Sequence, residues 1–310
     1  MEPNKIDKRL GAVFAILSAV FFGTMPLFTK TAYAYGCNAY TVAFGRFLVG
    51  AAGSAGIIRM IPNAHFRITR PEFQKLLGLS VFYAATPVLL YASYRSISSG
   101  LATTLHFTYP VIVMLVGAVV FHDRLHARQI ICLLICLAGI TCFCKPGQAE
   151  SASGMALAVA SGSAYAFYIL LLGRNGLQRL HVMTITFWIS LLSAVEISVF
   201  AMSVDRISLD IPWQGWMAIC GLGLFATVLA LALFQLGVFL CGEVKAALLS
   251  TFEPLTGVIL GVLVFREALT PRTVAGIMSI LLSTLLLVMD RKSDLSRRET
   301  ADSAAQAADR

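Results

Sequence analysis

The amino-acid sequence predicts an all-α polytopic membrane protein in which ten transmembrane helices form two inverted five-helix repeats. Composition, the number of apolar runs and an internal similarity all indicate this fold class. Apolar residues make up 58% of the 310 residues and charged residues 13%, whereas a soluble domain has about 45–50% and about 25%. The mean hydropathy is +0.79. Lipid must therefore surround much of the chain, and ten helices of about 20 residues leave no room for a soluble catalytic domain.

Ten apolar runs are separated by short polar segments. They lie at about 11–33, 38–60, 75–94, 98–121, 128–144, 154–172, 182–204, 214–240, 246–265 and 273–289. The fifth run, of about 17 residues, is at the lower limit of what spans a bilayer. The first run resembles a secretory signal, but it is too long for one and contains Pro26 and Lys30. We therefore predict a retained helix there.

Lys and Arg are distributed unequally between the two sets of loops. If the N-terminus is cytosolic, 17 of the 24 Lys and Arg residues lie on the cytosolic side and five on the opposite side. Because positive loops tend to stay in the cytosol, this bias predicts a multi-pass protein of the cell membrane with both termini cytosolic. These loops also account for the net charge of +8, so the bilayer is the expected partner and nucleic acid is not. Residues 291–310 have the composition of a disordered tail.

The second half of the chain repeats features of the first after a shift of 144 residues. Pro110 aligns with Pro254, and the acid that follows each Val-Phe pair aligns as Asp123 with Glu267. Further pairs are Ala102 with Ala246, Leu105 with Leu249, Gly117 with Gly261, Leu125 with Leu269 and, with a shift of 143, Gly11 with Gly154, Ala15 with Ala158 and Ser18 with Ser161. We therefore predict a duplication, with one five-helix repeat in residues 1–150 and the other in 151–290.

The odd number of helices in each repeat determines the predicted topology. The second copy must enter the membrane from the opposite side, which gives an inverted pair about an axis in the membrane plane. Two such halves that rock about a shared site expose it first to one side and then to the other. This geometry predicts a secondary transporter that moves a small-molecule substrate by alternating access.

Several motifs resemble those of the EamA branch of the drug/metabolite transporter superfamily. They are Phe22-Gly23-Thr24 with Lys30, Gly45-Arg46-Phe47, the stretch from Pro110 to Phe121 followed by an acid, and the stretch from Pro254 to Glu267 followed by Thr270-Pro271. The resemblance covers about 11–289 and implies a transporter for a metabolite or drug-like solute, without naming the substrate. His122-Asp123 stands where the family pattern usually has Gly-Glu.

Four prolines inside apolar runs predict helix kinks, namely Pro26, Pro87, Pro110 and Pro254. A proline within a helix leaves the carbonyl four residues earlier without its hydrogen bond. Pro110 frees the carbonyl of His106 and Pro254 frees that of Ser250. Near the membrane midplane such carbonyls need a partner, water or substrate. We expect them to line a shared cavity, although neighbouring Ser and Thr hydroxyls could satisfy them instead.

Glu253 is the strongest single candidate for a functional residue. It lies about nine residues into the ninth run, which places it roughly 13 Å deep. An acid at that depth is costly unless it is paired, protonated or wet, and is a functional candidate by default. Its counterpart in the first half is Tyr109. We expect Glu253 to carry a proton if transport is coupled to one; the alternative is a carboxylate in water at a cavity mouth, without a role.

Other side chains complete the candidate substrate or coupling site. We expect His106, Phe107, Tyr109, Ser250 and Glu253 to lie near the cavity wall. Arg46 and Glu196 lie at equal depths in the second and seventh runs, so a salt bridge between them is sterically allowed. Arg46 could bind an anionic substrate group or extend to the outer headgroups. An aromatic lining could come from Tyr83, Tyr91, Tyr94, Phe107, Tyr109 and Tyr165, although aromatic residues at helical spacing mostly form core.

No catalytic residues, metal site or cofactor are predicted. The sequence contains no P-loop, dinucleotide fingerprint or nucleophile elbow. His122, Asp123 and His126 have a spacing that could hold a metal, but they fall at a helix end without a second cluster. The alternative function is a polytopic membrane enzyme or sensor without transport activity, which would need His, Asp and Cys side chains converging at one depth.

Overall fold

The structure, a computed structural model, describes residues 5–97, 99–122, 127–142, 151–204 and 207–250, with shorter stretches between 252 and 286. Every regular element in these ranges is helical. The first half contains α1 (Lys5–Phe22), α2 (Met25–Ala34), α3 (Ala39–Met60), α4 (Arg70–Ser93), α5 (Ser99–His106), α6 (Tyr109–Phe121) and α7 (Ala127–Thr141). The second half contains α8 (Ala152–Arg174), a 3₁₀ turn (Leu177–Arg179), α9 (Val182–Val204), α10 (Trp213–Leu222), a π-helical segment (Gly223–Ala230), α11 (Leu231–Cys241) and α12 (Glu243–Leu249).

Six helical segments among the described residues are long and apolar enough to cross a membrane. They are Arg9–Ala34, Ala39–Met60, Arg70–Ser93, Ala152–Arg174, Val182–Ser203 and Trp213–Cys241. The fourth predicted run is divided between two helices, and α7 is short at 15 residues. The ninth and tenth runs lie partly outside the described residues, and so does Pro254. The protein is therefore an all-α, multi-pass membrane protein, and the number of ten helices stays a prediction.

Local sequence explains where individual helices begin. At the start of α4, Thr69 Oγ1 accepts a hydrogen bond from the Glu72 amide at 3.4 Å, while the Thr69 amide donates to Glu72 Oε2 at 2.7 Å. This capping box satisfies two amides that a helix start leaves without partners. At the start of α3, Asn38 Oδ1 accepts from the Thr41 amide at 2.8 Å. Both caps favour helices that start at these residues.

The prolines divide two of the predicted helices. Pro26 and Pro110 lie in the first turns of α2 and α6, directly after breaks in the first and fourth runs. By contrast, α4 continues through Pro87. The carbonyl oxygen of His106, which Pro110 frees, lies against α8, since a Cβ built on Gly162 would be 2.4 Å from it. Close packing on a glycine therefore fixes the break between α5 and α6.

The most extensive helix contacts follow the order expected of a duplication. They join α3 with α9, α4 with α8, and α11 with α1. Under the shift of about 144 residues, α4 corresponds to the continuous segment Trp213–Cys241, of which α11 is the last part, and α8 corresponds to α1 together with α2. The second and third contacts are therefore equivalent, and the first joins a helix to its own counterpart.

Individual contacts obey the same relation. Ser18 Oγ donates to the Ala230 carbonyl at 2.7 Å, and Ser161 Oγ donates to the Thr86 carbonyl at 2.7 Å. The donor Ser18 aligns with the donor Ser161 under the shift of 143, and the acceptor Thr86 aligns with the acceptor Ala230 under the shift of 144. The glycines near the starts of α1 and α8 repeat the pattern. A Cβ on Gly11 would meet Leu240 and Cys241, and one on Gly154 would meet Ser96 and Ile97.

The ends of α1 and α8 show how these two helices are oriented. Arg174, at the end of α8, forms an ion pair with Glu243 at 2.7 Å. Glu243 follows Cys241 closely in sequence, and Cys241 packs beside Gly11 near the beginning of α1. Therefore α1 begins at the end of the molecule where α8 ends, which we call the α1 end.

Candidate functional site

A buried cavity lies among helices from both halves of the chain. It is lined by Phe22, Met25, Arg46, Tyr83, Thr86, Pro87, Leu90, Tyr91, His106, Tyr165 and Glu253. Most of these side chains are apolar and a few are polar or charged, which is the composition that small-molecule sites typically have. Three of the predicted site residues, Arg46, His106 and Glu253, meet in it.

Arg46 is buried, at 3% exposure, and neutral groups surround its guanidinium. Nε donates to Thr227 Oγ1 at 3.0 Å, Nη1 donates to the Tyr91 hydroxyl at 2.9 Å, and Nη2 donates to the Tyr83 hydroxyl at 2.9 Å. Nη1 also contacts the sulfur of Met25 at 3.3 Å, and the guanidinium carbon lies 5.0 Å from the centre of the Phe47 ring. Arg46 therefore faces the cavity and does not extend to the headgroups.

Close helix packing places Thr227 within reach of Arg46. A Cβ on Gly45 would lie 2.6 Å from Ile219 Cγ2, and one on Gly50 would lie 2.4 Å from Thr227 Cγ2. These glycines allow α3 to approach the segment from Trp213 to Ala230 closely. Thr227 itself lies in the π-helical segment, and such segments are frequent at functional sites.

Glu253 reaches the cavity from the first half of the ninth run. The residue is 7% exposed, and its carbonyl oxygen would be 2.7 Å from a Cβ on Gly23. The break between α1 and α2 therefore packs directly on the Glu253 backbone. Within the described ranges, the carboxyl group has no hydrogen bond or ion pair, although it interacts electrostatically with Arg46.

A hydrogen bond to the Ser161 hydroxyl holds the imidazole of His106 in one orientation. Its Nδ1 lies 3.0 Å from Ser161 Oγ, and Ser161 donates its proton to the Thr86 carbonyl. A hydroxyl has one proton and the carbonyl can only accept, so Nδ1 must donate to Ser161. A neutral imidazole in this position has its proton on Nδ1 and its acceptor lone pair on Nε2.

Tyr109 and Phe107 support His106 rather than line the cavity. The Tyr109 ring centre is 5.5 Å from that of His106 and 4.9 Å from that of Tyr165. The Phe107 ring centre is 5.3 Å from that of Tyr109. Both rings are fully buried. Ser250 is also buried, and its hydroxyl donates to the Ala246 carbonyl at 2.9 Å within its own helix.

Glu196 lies outside the cavity. Its Oε1 accepts from Ser80 Oγ at 2.6 Å between α9 and α4, and the residue is half-buried. Arg46 instead binds Thr227, Tyr83 and Tyr91, so the salt bridge that equal depth would allow does not form.

Several lining and supporting groups were not identified from the sequence. Thr227, Ser161, Thr86 and Met25 were not singled out, because Ser, Thr and Met are common in apolar helices. The equivalence of Ser18 and Ser161 is the one sequence signal that pointed to a serine of the site. Among the proposed aromatic residues, Tyr83, Tyr91 and Tyr165 do line the cavity. Across the described part of the chain, no three His, Cys, Asp or Glu side chains converge as a metal site.

A comparison with protein families identifies the chain. The model of the EamA-like transporter family matches it twice, over residues 9–144 and 152–289. The chain belongs to the EamA-like transporter family. This membership confirms the resemblance seen in the motifs, and it agrees with a membrane transporter rather than an enzyme.

Relatives of similar length extend the comparison. The chain is 26% identical over 278 residues to an uncharacterized transporter of Archaeoglobus fulgidus, covering 90% of this chain and 96% of the relative. It is 28% identical over 236 residues to the uncharacterized transporter sll1319 of Synechocystis sp., covering 73% and 70%. A crystal structure superposes with a TM-score of 0.75 at 16% identity, covering 93% of this chain and 98% of the other. That likeness concerns the fold alone.

Proposed function

We propose that this EamA-like protein is a secondary transporter that moves a small organic metabolite across the cell membrane by alternating access. The observation that carries the proposal is the buried cavity between the halves, which contains a guanidinium and a carboxyl group. Phe22, Arg46, Tyr91 and His106 come from the first half, whereas Tyr165 and Glu253 come from the second. A site built from both halves changes its access when the halves rock against each other.

The architecture in this proposal is ten transmembrane helices in two inverted five-helix repeats. The opposite directions of α1 and α8 support it, as do the equivalent hydrogen bonds of Ser18 and Ser161. The excess of Lys and Arg in alternate loops supports cytosolic termini. The α1 end of the molecule then faces the cytosol.

The α1 end provides contacts that close the cavity on one side in this proposal. The Arg174–Glu243 ion pair joins α8 to α12. The Arg174 guanidinium carbon also lies 4.1 Å from the centre of the Phe121 ring at the end of α6. Opening toward the cytosol then requires these three helix ends to separate.

Glu253 couples transport to protons in the proposed mechanism. It is a buried carboxyl group on the cavity wall, and no hydrogen bond or ion pair holds it among the described residues. A proton that binds and leaves as the cavity opens to each side would drive accumulation of the substrate. Glu196, an acid within an apolar run but outside the cavity, has no part in this step.

Counterflow into proteoliposomes tests the proposal. Purified protein is first screened against small metabolites by thermal shift, because a ligand of the folded state raises Tm. The compound with the largest shift is then used, radiolabelled, in counterflow and in pH-driven uptake. We expect transport with turnover and no chemical change. Chemical conversion of the compound, or binding with no counterflow, would contradict a transporter.

Matched acid variants test the coupling residue. Glu253→Gln keeps the side-chain shape and removes the charge, so we expect counterflow to persist and pH-driven accumulation to be lost. Glu196→Gln is the control, and we expect it to retain both activities. Unchanged pH-driven accumulation by Glu253→Gln would assign coupling elsewhere.

A further inference from the structure

We propose that the cavity binds an organic monoanion, a carboxylate with an apolar or aromatic body, on the guanidinium of Arg46, and that one proton binds the Glu253 carboxylate with it. The inference rests on the proposed transport function and specifies the substrate class and the charge balance of the same cavity. Arg46 supplies a fixed positive charge, Glu253 supplies a carboxylate that can be neutralised, and the walls are aromatic.

The hydrogen bonds of Arg46 leave capacity for a carboxylate. A guanidinium has five N–H donors, and four contacts are present, to Thr227, Tyr91, Tyr83 and Met25. One Nη2 proton therefore has no partner among the described residues. The Met25 sulfur is a weak acceptor that a stronger one can replace. Two donors on adjacent nitrogens are thus open to an incoming carboxylate, the group that guanidinium binds best.

The positive charge of Arg46 is not neutralised by direct contact. No carboxylate lies within ion-pair distance of it in the described ranges, and all its hydrogen-bond partners are neutral. A buried charge without a counter-ion is costly. Among the described residues, the one carboxyl group on the cavity wall is Glu253, which lines the same cavity as Arg46 and interacts with it electrostatically.

Charge balance then requires a proton. In the empty cavity, Arg46 and ionised Glu253 sum to zero. A bound monoanion would leave a net negative charge in a poorly hydrated site, and a proton on Glu253 restores neutrality. The proton forms an O–H bond on the Glu253 carboxylate, which becomes a carboxylic acid, and leaves by the same bond when the anion departs.

The other titratable groups near Glu253 do not change this balance. Tyr83 and Tyr94 approach from α4 and its C-terminal end, Tyr165 from α8, and His106 from α5 on the same wall. The tyrosines are neutral phenols near pH 7. His106 is neutral when buried and bonded through Nδ1–H to Ser161. The charges of Arg46 and Glu253 therefore determine which ligand charge the cavity accepts.

The cavity walls restrict the body of the ligand. Phe22, Tyr83, Tyr91 and Tyr165 present aromatic surfaces, with Met25 and Leu90 between them. Such walls favour a compact apolar or aromatic group. An organic cation would meet the fixed charge of Arg46, so we expect it to be excluded.

Binding to the purified protein tests the ligand class without transport. The probes are phenylacetate, its neutral analogue phenylacetamide and the cation phenethylamine, each tested at millimolar concentration by thermal shift and calorimetry. We expect phenylacetate alone to raise Tm. For Arg46→Gln we expect binding about 10- to 100-fold weaker, because a charged hydrogen-bonded contact is lost. Arg46→Lys keeps the charge and serves as the folded comparison. Equal binding of the amide, or no binding of phenylacetate, would overturn the proposal.

Proton uptake on binding tests the charge balance. In weakly buffered solution we expect the wild type to take up about one proton per phenylacetate bound at a pH where Glu253 starts ionised, and Glu253→Gln to bind without uptake. Binding by the wild type with no proton uptake at any pH would contradict the coupling. Binding with uptake but no counterflow would uphold the site and refute the transporter. Counterflow of a compound without an acidic group would uphold the transporter and refute the proposed anion site.

Discussion

Replacing Gly162 by alanine tests whether close packing between α8 and the α5–α6 break shapes the site. The new Cβ would lie 2.4 Å from the His106 carbonyl oxygen, whereas ordinary contacts begin near 3.4 Å, so backbone must move by the difference of 1.0 Å. Overpacking of this kind costs about 1–3 kcal/mol. An alanine in a helix also recovers about 0.5–1 kcal/mol relative to glycine. The matched control is Gly78→Ala in α4, where no atom lies within 4 Å of the built Cβ.

Thermal unfolding of the two variants in the same detergent isolates the packing contribution. Because both gain the same helix propensity, their stabilities should differ by the contact alone, about 1–3 kcal/mol. We expect Gly78→Ala to unfold at or above the wild-type temperature. Gly162→Ala should unfold below Gly78→Ala, by about 2–4 °C for each kcal/mol. A Gly162→Ala protein as stable as Gly78→Ala would refute the packing described at the His106 carbonyl.

Other substitutions test further contacts. Ser161→Ala leaves the imidazole that it binds without a buried partner, so we expect a loss of about 1–3 kcal/mol by thermal unfolding. Ser163→Ala, at a partly exposed position of the same helix whose hydroxyl bonds only to the Val159 carbonyl one turn earlier, should change little. Thr69→Ala removes a helix cap and should cost about 1 kcal/mol; an unchanged Tm would argue against the cap. A double-mutant cycle of Arg174→Gln and Glu243→Gln should give a coupling of about 0.2–1 kcal/mol, because the pair is partly exposed, and a value of several kcal/mol would contradict this.

The sequence predicted the long membrane helices and the charged side chains within them, because both follow from lipid acting as the solvent. In hydrocarbon every backbone group must be bonded within its segment, so long apolar runs become helices whatever their neighbours. Charged residues in such runs are rare enough to be informative, and Arg46 and Glu253 do lie on the cavity wall. His106, which was expected near the cavity wall, is part of the lining as well.

The sequence could not predict which face of each helix meets the cavity. Lipid and core are both apolar, so the helices lack the polar stripe that orients a helix in a soluble protein. Glu196 and Glu253 are both intramembrane acids, yet one binds Ser80 between two helices and the other lines the cavity. Thr227 binds Arg46 because of a π-helical segment and a glycine contact, and neither follows from local composition.

Labelling of the cavity from each side of the membrane tests the central claim most directly. A single cysteine is placed at Thr86→Cys, on the cavity wall, in a variant whose seven native cysteines are replaced. A membrane-impermeant thiol reagent is then added to one face of sealed vesicles and, separately, to the other. Alternating access predicts that the cysteine reacts from either side while the vesicles hold a proton gradient. Reaction from one side alone, or from neither side in folded protein, would contradict the account.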